Sequence, residues 1–505
     1  MAARCTVRKL LPAALAATLV IYGLAVGADS GAMMDDDDKV LAASFATQLP
    51  AVSASTGGCA APPVLSARAI PSDIAASNSQ ANVNCLAWQD FIAVNWAASP
   101  NGCAADASVP ASKFGQPNHV APVVWETYKK ASEVFRAHAA APAPWCSANG
   151  VAGNDAPGEN GYKILGVIEP GGTAEFEQAN ANGAWLTGQN GRLTLYEIRV
   201  NQDEFNYIRA NRLYSAAEQR AFAEGPGIDL PDGTPRYWQY GGTGSMEFKA
   251  SWIELPDRAQ WPYFKISRAY VFSPDAKTPP RLVTVGLTGL HIMHKTAKAP
   301  QFIWATFEHV NNAPSASDIR NNRLLPWYTY YNRNCDPQTD HYHCAPNAQP
   351  ASASPEHPYF PHRSADPYDA PVQVVRENPI SDTTFNDTAG LNQWVWNLIR
   401  NQNPQSVFLH YQLVNVLWAN DPAAVPPGAE IPLTAGNPLP NPSTQKVANT
   451  AMETYVQNTS TCLDCHTRAA IAPVDGPKRL ASDYSFLFSM ADTPQMPQNI
   501  QQNRP

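Results

Sequence analysis

The spacing of apolar residues changes along the chain, and the change separates its parts. Early on, "VNCLAWQDFIAVNWAA" places Val83, Leu86, Phe91 and Val94 near helical spacing, and "VVWETYKKASEVFRAH" does the same with Trp125, Tyr128 and Phe135. The period then shortens. "GRLTLYEIRV" is rich in β-formers, and "SMEFKASWIEL" alternates Met246, Phe248, Ala250 and Trp252 against Glu247, Lys249 and Ser251, a half-buried strand pattern. "YFKISRAYVF", "RLVTVGL" and "QFIWATFEHV" are further strands, and their short spacing predicts an antiparallel sheet or sandwich core. Residues 312–380 look irregular. "LNQWVWNLIR" then gives a helix face from Leu391, Trp394, Val395, Leu398 and Ile399, while "SVFLHYQLVNVLW" fits helix or strand equally. After a Pro-rich connector, Thr450 and Glu453 in "TAME" read as a capping box, opening a helix through Tyr455 and Val456 that ends before Cys462.

The expected fold class is therefore α+β: a β-rich central domain with a helical N-terminal part and a helical C-terminal segment. "MAARCTVRKL" and the apolar run after it, with Val26 and Ala28 before Asp29, predict a signal peptide over 1–28. An Ala-, Ser- and Pro-rich stretch over 29–78, including the run Asp35 to Lys39, reads as a disordered linker. A large α+β body follows over 79–380, and a C-terminal helical segment over 381–505. Nothing beyond the leader is apolar for long enough to span a membrane.

Composition narrows the class. With 46 Pro, 29 Gly, only 15% charged residues and a net charge of -8, the chain suits a loop-rich exported protein and gives no sign of nucleic-acid binding. Of its 9 cysteines, Cys5 lies in the leader and Cys462 and Cys465 in a motif discussed below. The remaining Cys59, Cys85, Cys103, Cys146, Cys335 and Cys344 are even in number, as disulfides in an oxidising compartment require. Cys335 and Cys344 bracket a short loop and are the expected pair; the other four allow three pairings.

The strongest chemical signal is "TCLDCHTRA". Cys462, Cys465 and His466 make Cys-x-x-Cys-His, the pattern for covalent attachment of a c-type haem. Two thiols at this spacing add to the two vinyl groups of one porphyrin, and the adjacent histidine ligates iron on the proximal side. A zinc site would need a second ligand pair, for which only His341, His343 and Cys344 are available. The motif ends at residue 466 of 505, so the remaining tail is too short to enclose a porphyrin alone. The expectation is that the body completes the site. Candidate distal residues are His294, slightly preferred because Lys295 follows it, then His291, His309 and Met490, with Met496 also available. Arg468 is a candidate partner for a haem propionate.

"FIAVNW", "PVVWETYK", "SMEFKASW", "VGLTGLHIMHKT", "TFEHVNN" and "CLDCH" together resemble a family of exported bacterial proteins described only as cytochrome c family proteins, over about Asn82 to Met490. The resemblance implies a single haem held through Cys462, Cys465 and His466, and supplies no substrate. The functional expectation is one-electron transfer with a periplasmic redox partner, in the periplasm or secreted. The alternative is a haem oxidoreductase, peroxidase- or oxygenase-like, whose distal site the central domain forms. A bare carrier needs far less chain than this.

Overall fold

A computed structural model of the chain describes residues 53–493 apart from 101, 147–162, 166–185, 272–279, 337, 340–343, 349–370, 420–424, 432–445, 459–460 and 474–477. The expected signal peptide, the linker as far as residue 52, and Met496 lie outside the described residues. The rest of the expected linker, 53–78, has no helix or strand, yet it is fastened to the body: Leu65 and Ile74 are buried, and Cys59 lies at disulfide distance from Cys85.

Helix α1 (Gln80–Val94) forms where the apolar spacing predicts it, opened by Ser79, whose side chain accepts from the Asn82 amide. The second expected helix does not form. Val124–Thr127 is a 3-10 turn, Lys129–Lys130 is strand β1, and only Ala131–Val134 (α2) is helical. Tertiary pairing overrides the local period here. Lys129 and Lys130 pair with Val200 and Arg199, and Trp125 stacks against Trp252 with centroids 6.0 Å apart.

The elements that follow are β2 (Lys163–Leu165), β3 (Thr194–Val200), α3 (Gln202–Ala210), α4 (Ala216–Glu224), β4 (Met246–Glu254), β5 (Ile266–Val271), β6 (Arg281–Thr296), β7 (Ala299–His309), α5 (Ala316–Arg320), β8 (Asp382–Thr383), β9 (Asn386–Asp387), α6 (Thr388–Arg400), β10 (Tyr411–Trp418), β11 (Glu430–Ile431), α7 (Cys462–His466) and β12 (Arg479–Leu480). An eight-stranded sheet runs β1-β3-β4-β6-β5-β2, with β7 also paired to β6 and β10 to β7. All its pairings are antiparallel except β2 with β5. This mixture of helix and largely antiparallel sheet is an α+β class. The ambiguous "SVFLHYQLVNVLW" resolves into a 3-10 turn followed by strand β10.

Alternation along the long strands separates two faces. Met246, Phe248, Ala250 and Trp252 of β4, with Leu290 and Ile292 of β6 and Phe307 of β7, join one apolar cluster with α1 and α6. Trp88 of α1 packs edge-on to Phe307 at 5.0 Å and donates its indole N–H to Asn392 of α6 at 3.0 Å. Met293 and Trp304 belong to a different cluster, shared with Leu463, Leu480, Leu487 and Phe488 of the C-terminal segment. β4 is therefore not half-exposed. Only Lys249 among its nine residues is more than marginally open, because both faces are covered.

Three cysteine pairs stand at disulfide distance. The Cα separations are 6.3 Å for Cys59–Cys85, 6.4 Å for Cys103–Cys146 and 5.4 Å for Cys335–Cys344. The expected Cys335–Cys344 pair is among them, and the other two complete one of the three pairings left open. His341 and His343 lie outside the described residues. Among the described residues, no helix is long and apolar enough to cross a membrane.

Candidate functional site

The second face of the sheet carries the site. The C-terminal segment folds back across it, starting at Asn449. The Asn449 side chain donates to the Phe307 carbonyl at 2.8 Å and reaches Thr306 Oγ1 at 3.1 Å. It fits because residue 289 beneath it is glycine: a Cβ there would stand 2.9 Å from the Asn449 amide group and 2.8 Å from Ser251 Oγ. Next to it, Thr450 donates from both its amide and its hydroxyl to Glu308, which Arg376 also engages. The expected helix over 450–456 is instead a series of turns. Glu453 caps the Asn449 amide at 2.8 Å rather than Thr450, because the Thr450 hydroxyl is already committed to Glu308.

Beyond these turns comes α7, which holds the motif. Thr461 and Asp464 form a reciprocal capping box, Asp464 Oδ2 accepting from the Thr461 amide at 2.7 Å. The expectation was a helix ending before Cys462; the structure begins one there. One turn of helix sets Cys462, Cys465 and His466 around a common region, since positions three and four apart share a face. Leu463 points the other way into the apolar cluster.

His466 is held on several sides. Its Nδ1 lies 2.7 Å from the Tyr484 carbonyl, an acceptor only, so Nδ1 carries the proton and Nε2 has a free lone pair. Trp304 and Phe486 flank the ring edge-on at 4.4 and 4.9 Å. Burial, opposed by the Tyr484 hydrogen bond, brings its pKa down to about 4, so the imidazole is neutral at physiological pH. Burial also pushes the Cys462 thiol well above its usual value, with Glu453 and Cys465 adding to the effect. Cys462 is thus a protonated thiol rather than a reactive thiolate. Neither it nor Cys465 is in a disulfide.

Between this segment and the sheet lies a cavity of about 450 Å³, within the range of cofactor and ligand sites. The sheet contributes Ile198, Glu247, Lys249, His291, Met293 and Trp304; the C-terminal segment contributes Glu453, Cys462, Cys465, His466, Arg479 and Phe486. Of the sequence-predicted residues, the cavity brings together Cys462, Cys465, His466 and His291. The preferred distal residue, His294, does not line it. One residue's shift along a strand flips the side chain to the opposite face, and from there both His294 ring nitrogens are engaged, with Asp90 Oδ2 and the Thr243 carbonyl, each at 3.0 Å. His309 is also remote: its Nε2 donates to the Tyr263 carbonyl at 2.9 Å, and its ring stacks on Phe264 at 4.1 Å. Met490 packs beside the apolar cluster without lining the cavity. Nor does Arg468 line it; the arginine in the wall is Arg479, which donates to the Arg468 carbonyl.

His291 has the chemistry of a cavity-facing ligand. Its Nε2 is buried and meets no aligned hydrogen-bond partner among the described residues, although Glu453 Oε2 lies 3.3 Å away. Burial works to raise the Glu453 carboxyl, but His291 and Lys249 outweigh it and hold the group below the usual range. Lys249 is lowered by burial, with Glu453 opposing. Sequence reading treated Glu247 and Lys249 as the outer side of a half-buried strand, and so missed them as lining residues. The signal was there: these are the polar positions in step with His291 on a neighbouring strand. Two thiols, a neutral imidazole whose Nε2 keeps its lone pair, a second histidine beside Glu453 and an arginine are the groups a covalently held haem c would use. Among the described residues, no group of three or more His, Cys, Asp or Glu is arranged to hold a metal ion by itself. No family model, curated protein or solved structure matches this chain.

Proposed function

We propose that this chain is an exported c-type haem protein acting in one-electron transfer with a periplasmic redox partner. Cys462 and Cys465 hold a single haem c by thioether bonds, and His466 is the proximal iron ligand. The carrying observation is the joint lining of one cavity by the whole Cys-x-x-Cys-His motif and by the sheet. The resemblance drawn from the sequence is a separate support for this reading. Haem supplies a one-electron couple. The chain's own residues do the rest. Tyr484 fixes the His466 tautomer, Trp304 and Phe486 fix the ring plane, and Met293, Ile198 and Phe486 exclude water. Arg479 is the cation available to a propionate.

His291 and Glu453 favour a second reading, a haem oxidoreductase. An imidazole beside a carboxylate, both lining the cavity, is an acid–base pair able to move a proton at Nε2 of His291.

Two measurements test these readings. In denaturing gels the wild-type chain should retain covalent haem, and Cys462→Ser/Cys465→Ser should lose it; haem retained covalently by the double variant would overturn the proposal. Absorption and EPR spectra with and without cyanide or carbon monoxide then separate the readings. Low-spin iron indifferent to ligand supports the carrier, and high-spin iron that binds ligand supports the oxidoreductase.

A further inference from the structure

Behind Glu247, which lines the cavity, lies a second carboxyl, Glu204, in the first turn of α3. It is 0% exposed, Glu247 is 5% exposed, and the two carboxyl groups are within hydrogen-bonding reach of each other. Neither Glu204 oxygen meets a donor among the described residues; Glu247 has the Ser485 hydroxyl and no cation. The nearby positive charge is already used. Lys295 of β6 is bonded to Asp483 and to Asp229, the latter at 2.8 Å, and Asp483 also accepts from the Leu230 amide at 2.7 Å. Two buried carboxylates in contact, without a cation, are not both ionised.

We infer that Glu204 and Glu247 share a proton across one hydrogen bond and form the proton-exchange site of the cavity, through Glu247, whenever its charge changes. The inference rests on the proposed one-electron chemistry. When a one-electron reductant adds an electron to the site, the pair takes one proton from water, and on oxidation it returns it; net charge at the site is unchanged in each direction. Burial raises Glu247 to about 7 and Glu204 well above its usual value, which puts the exchange near neutral pH. The other charged groups facing the pair are Asp483 from the C-terminal loop and Lys295 from β6, while Lys249, His291, Glu453 and Arg479 share the cavity wall. Glu247 touches the cavity, and Glu204 acts through it as a positioning residue.

The test uses the full-length matured protein, with two readouts. The first is the infrared carboxylic C=O band followed from about pH 5 to pH 9. A protonated-carboxyl band persisting to neutral pH in the wild type and shifted in both Glu247→Gln and Glu204→Gln supports the pair; its absence in the wild type, or a band that neither substitution moves, overturns it. The second is the midpoint potential. A fall approaching a tenfold shift in redox ratio per pH unit, about 59 mV for one electron, that flattens in Glu247→Gln supports the coupling. A slope unchanged in Glu247→Gln, or absent in the wild type, overturns it. The infrared readout does not require haem, so a protein with the band and no covalent haem would refute the haem reading and leave the pair standing.

Discussion

The Tyr484 carbonyl accepts the Nδ1 hydrogen of His466 at 2.7 Å from a backbone held in the left-handed region. Asp483 and Tyr484 have φ of 54° and 66°, two successive non-glycine residues in a conformation that costs on the order of 1 kcal/mol or more each. The Asp483 carboxylate holds this turn in place through Lys295 and the Leu230 amide. Asp483→Ala should therefore lower stability by about 3 kcal/mol, the scale of breaking a buried ion pair on one side, as read by urea unfolding. It should also broaden or shift the proximal histidine signals in NMR. A variant with unchanged unfolding would show that the turn needs no anchor.

The distal candidates separate by strand face. His291→Ala should alter the absorption spectrum or the ligand binding of the matured protein with little change in stability. His294→Ala strands the buried Asp90 carboxylate, and should cost about 3 kcal/mol while leaving the spectrum as it was. Spectral change in His294→Ala alone would reverse the assignment.

How much of this was legible depended on whether a pattern was local. Cys462, Cys465 and His466 announce themselves by spacing, and α1, α6 and the long strands by period. His291 and His294 are three residues apart, so they share a helix face but not a strand face; the one local cue, Lys295 after His294, favours the residue that β6, unbroken through both, turns away from the cavity. Lys249 and Glu247 were hidden because alternation shows which residues oppose each other, not whether the polar side meets water or a cavity. Trp125 and Tyr128 mimicked a helix because their spacing serves contacts across the sheet. Glu204 was invisible: an acidic residue in a first helical turn is ordinary, and only the fold sets it against Glu247.

The chain over 53–78 is anchored by Cys59–Cys85, which closes a loop of sequence separation 26. Replacing both cysteines by serine should cost about 2–4 kcal/mol and expose this stretch to limited proteolysis before the rest of the body. Mass mapping of the oxidised protein should recover this link together with Cys103–Cys146 and Cys335–Cys344.

Acid sensitivity should come partly from His309. Burial, with His410 adding, depresses its pKa to about 3, so the folded protein keeps it neutral where the unfolded chain, near 6.5, binds a proton. Between those values the unfolded state holds more protons, so stability rises with pH. The contribution is complete above about pH 6.5 and is lost progressively as pH falls toward 3, at a limit of about 1.4 kcal/mol per unit for one group. His309→Gln has no such titration. It should be less stable at neutral pH, because the bonds to Tyr263 and Asn311 are remade imperfectly, yet lose stability less steeply on acidification. Urea unfolding at a series of pH values between about 4 and 7 reads the slope directly. Parallel curves for wild type and variant would assign the acid lability to other groups, with His410, depressed to about 4 by burial, the next to replace.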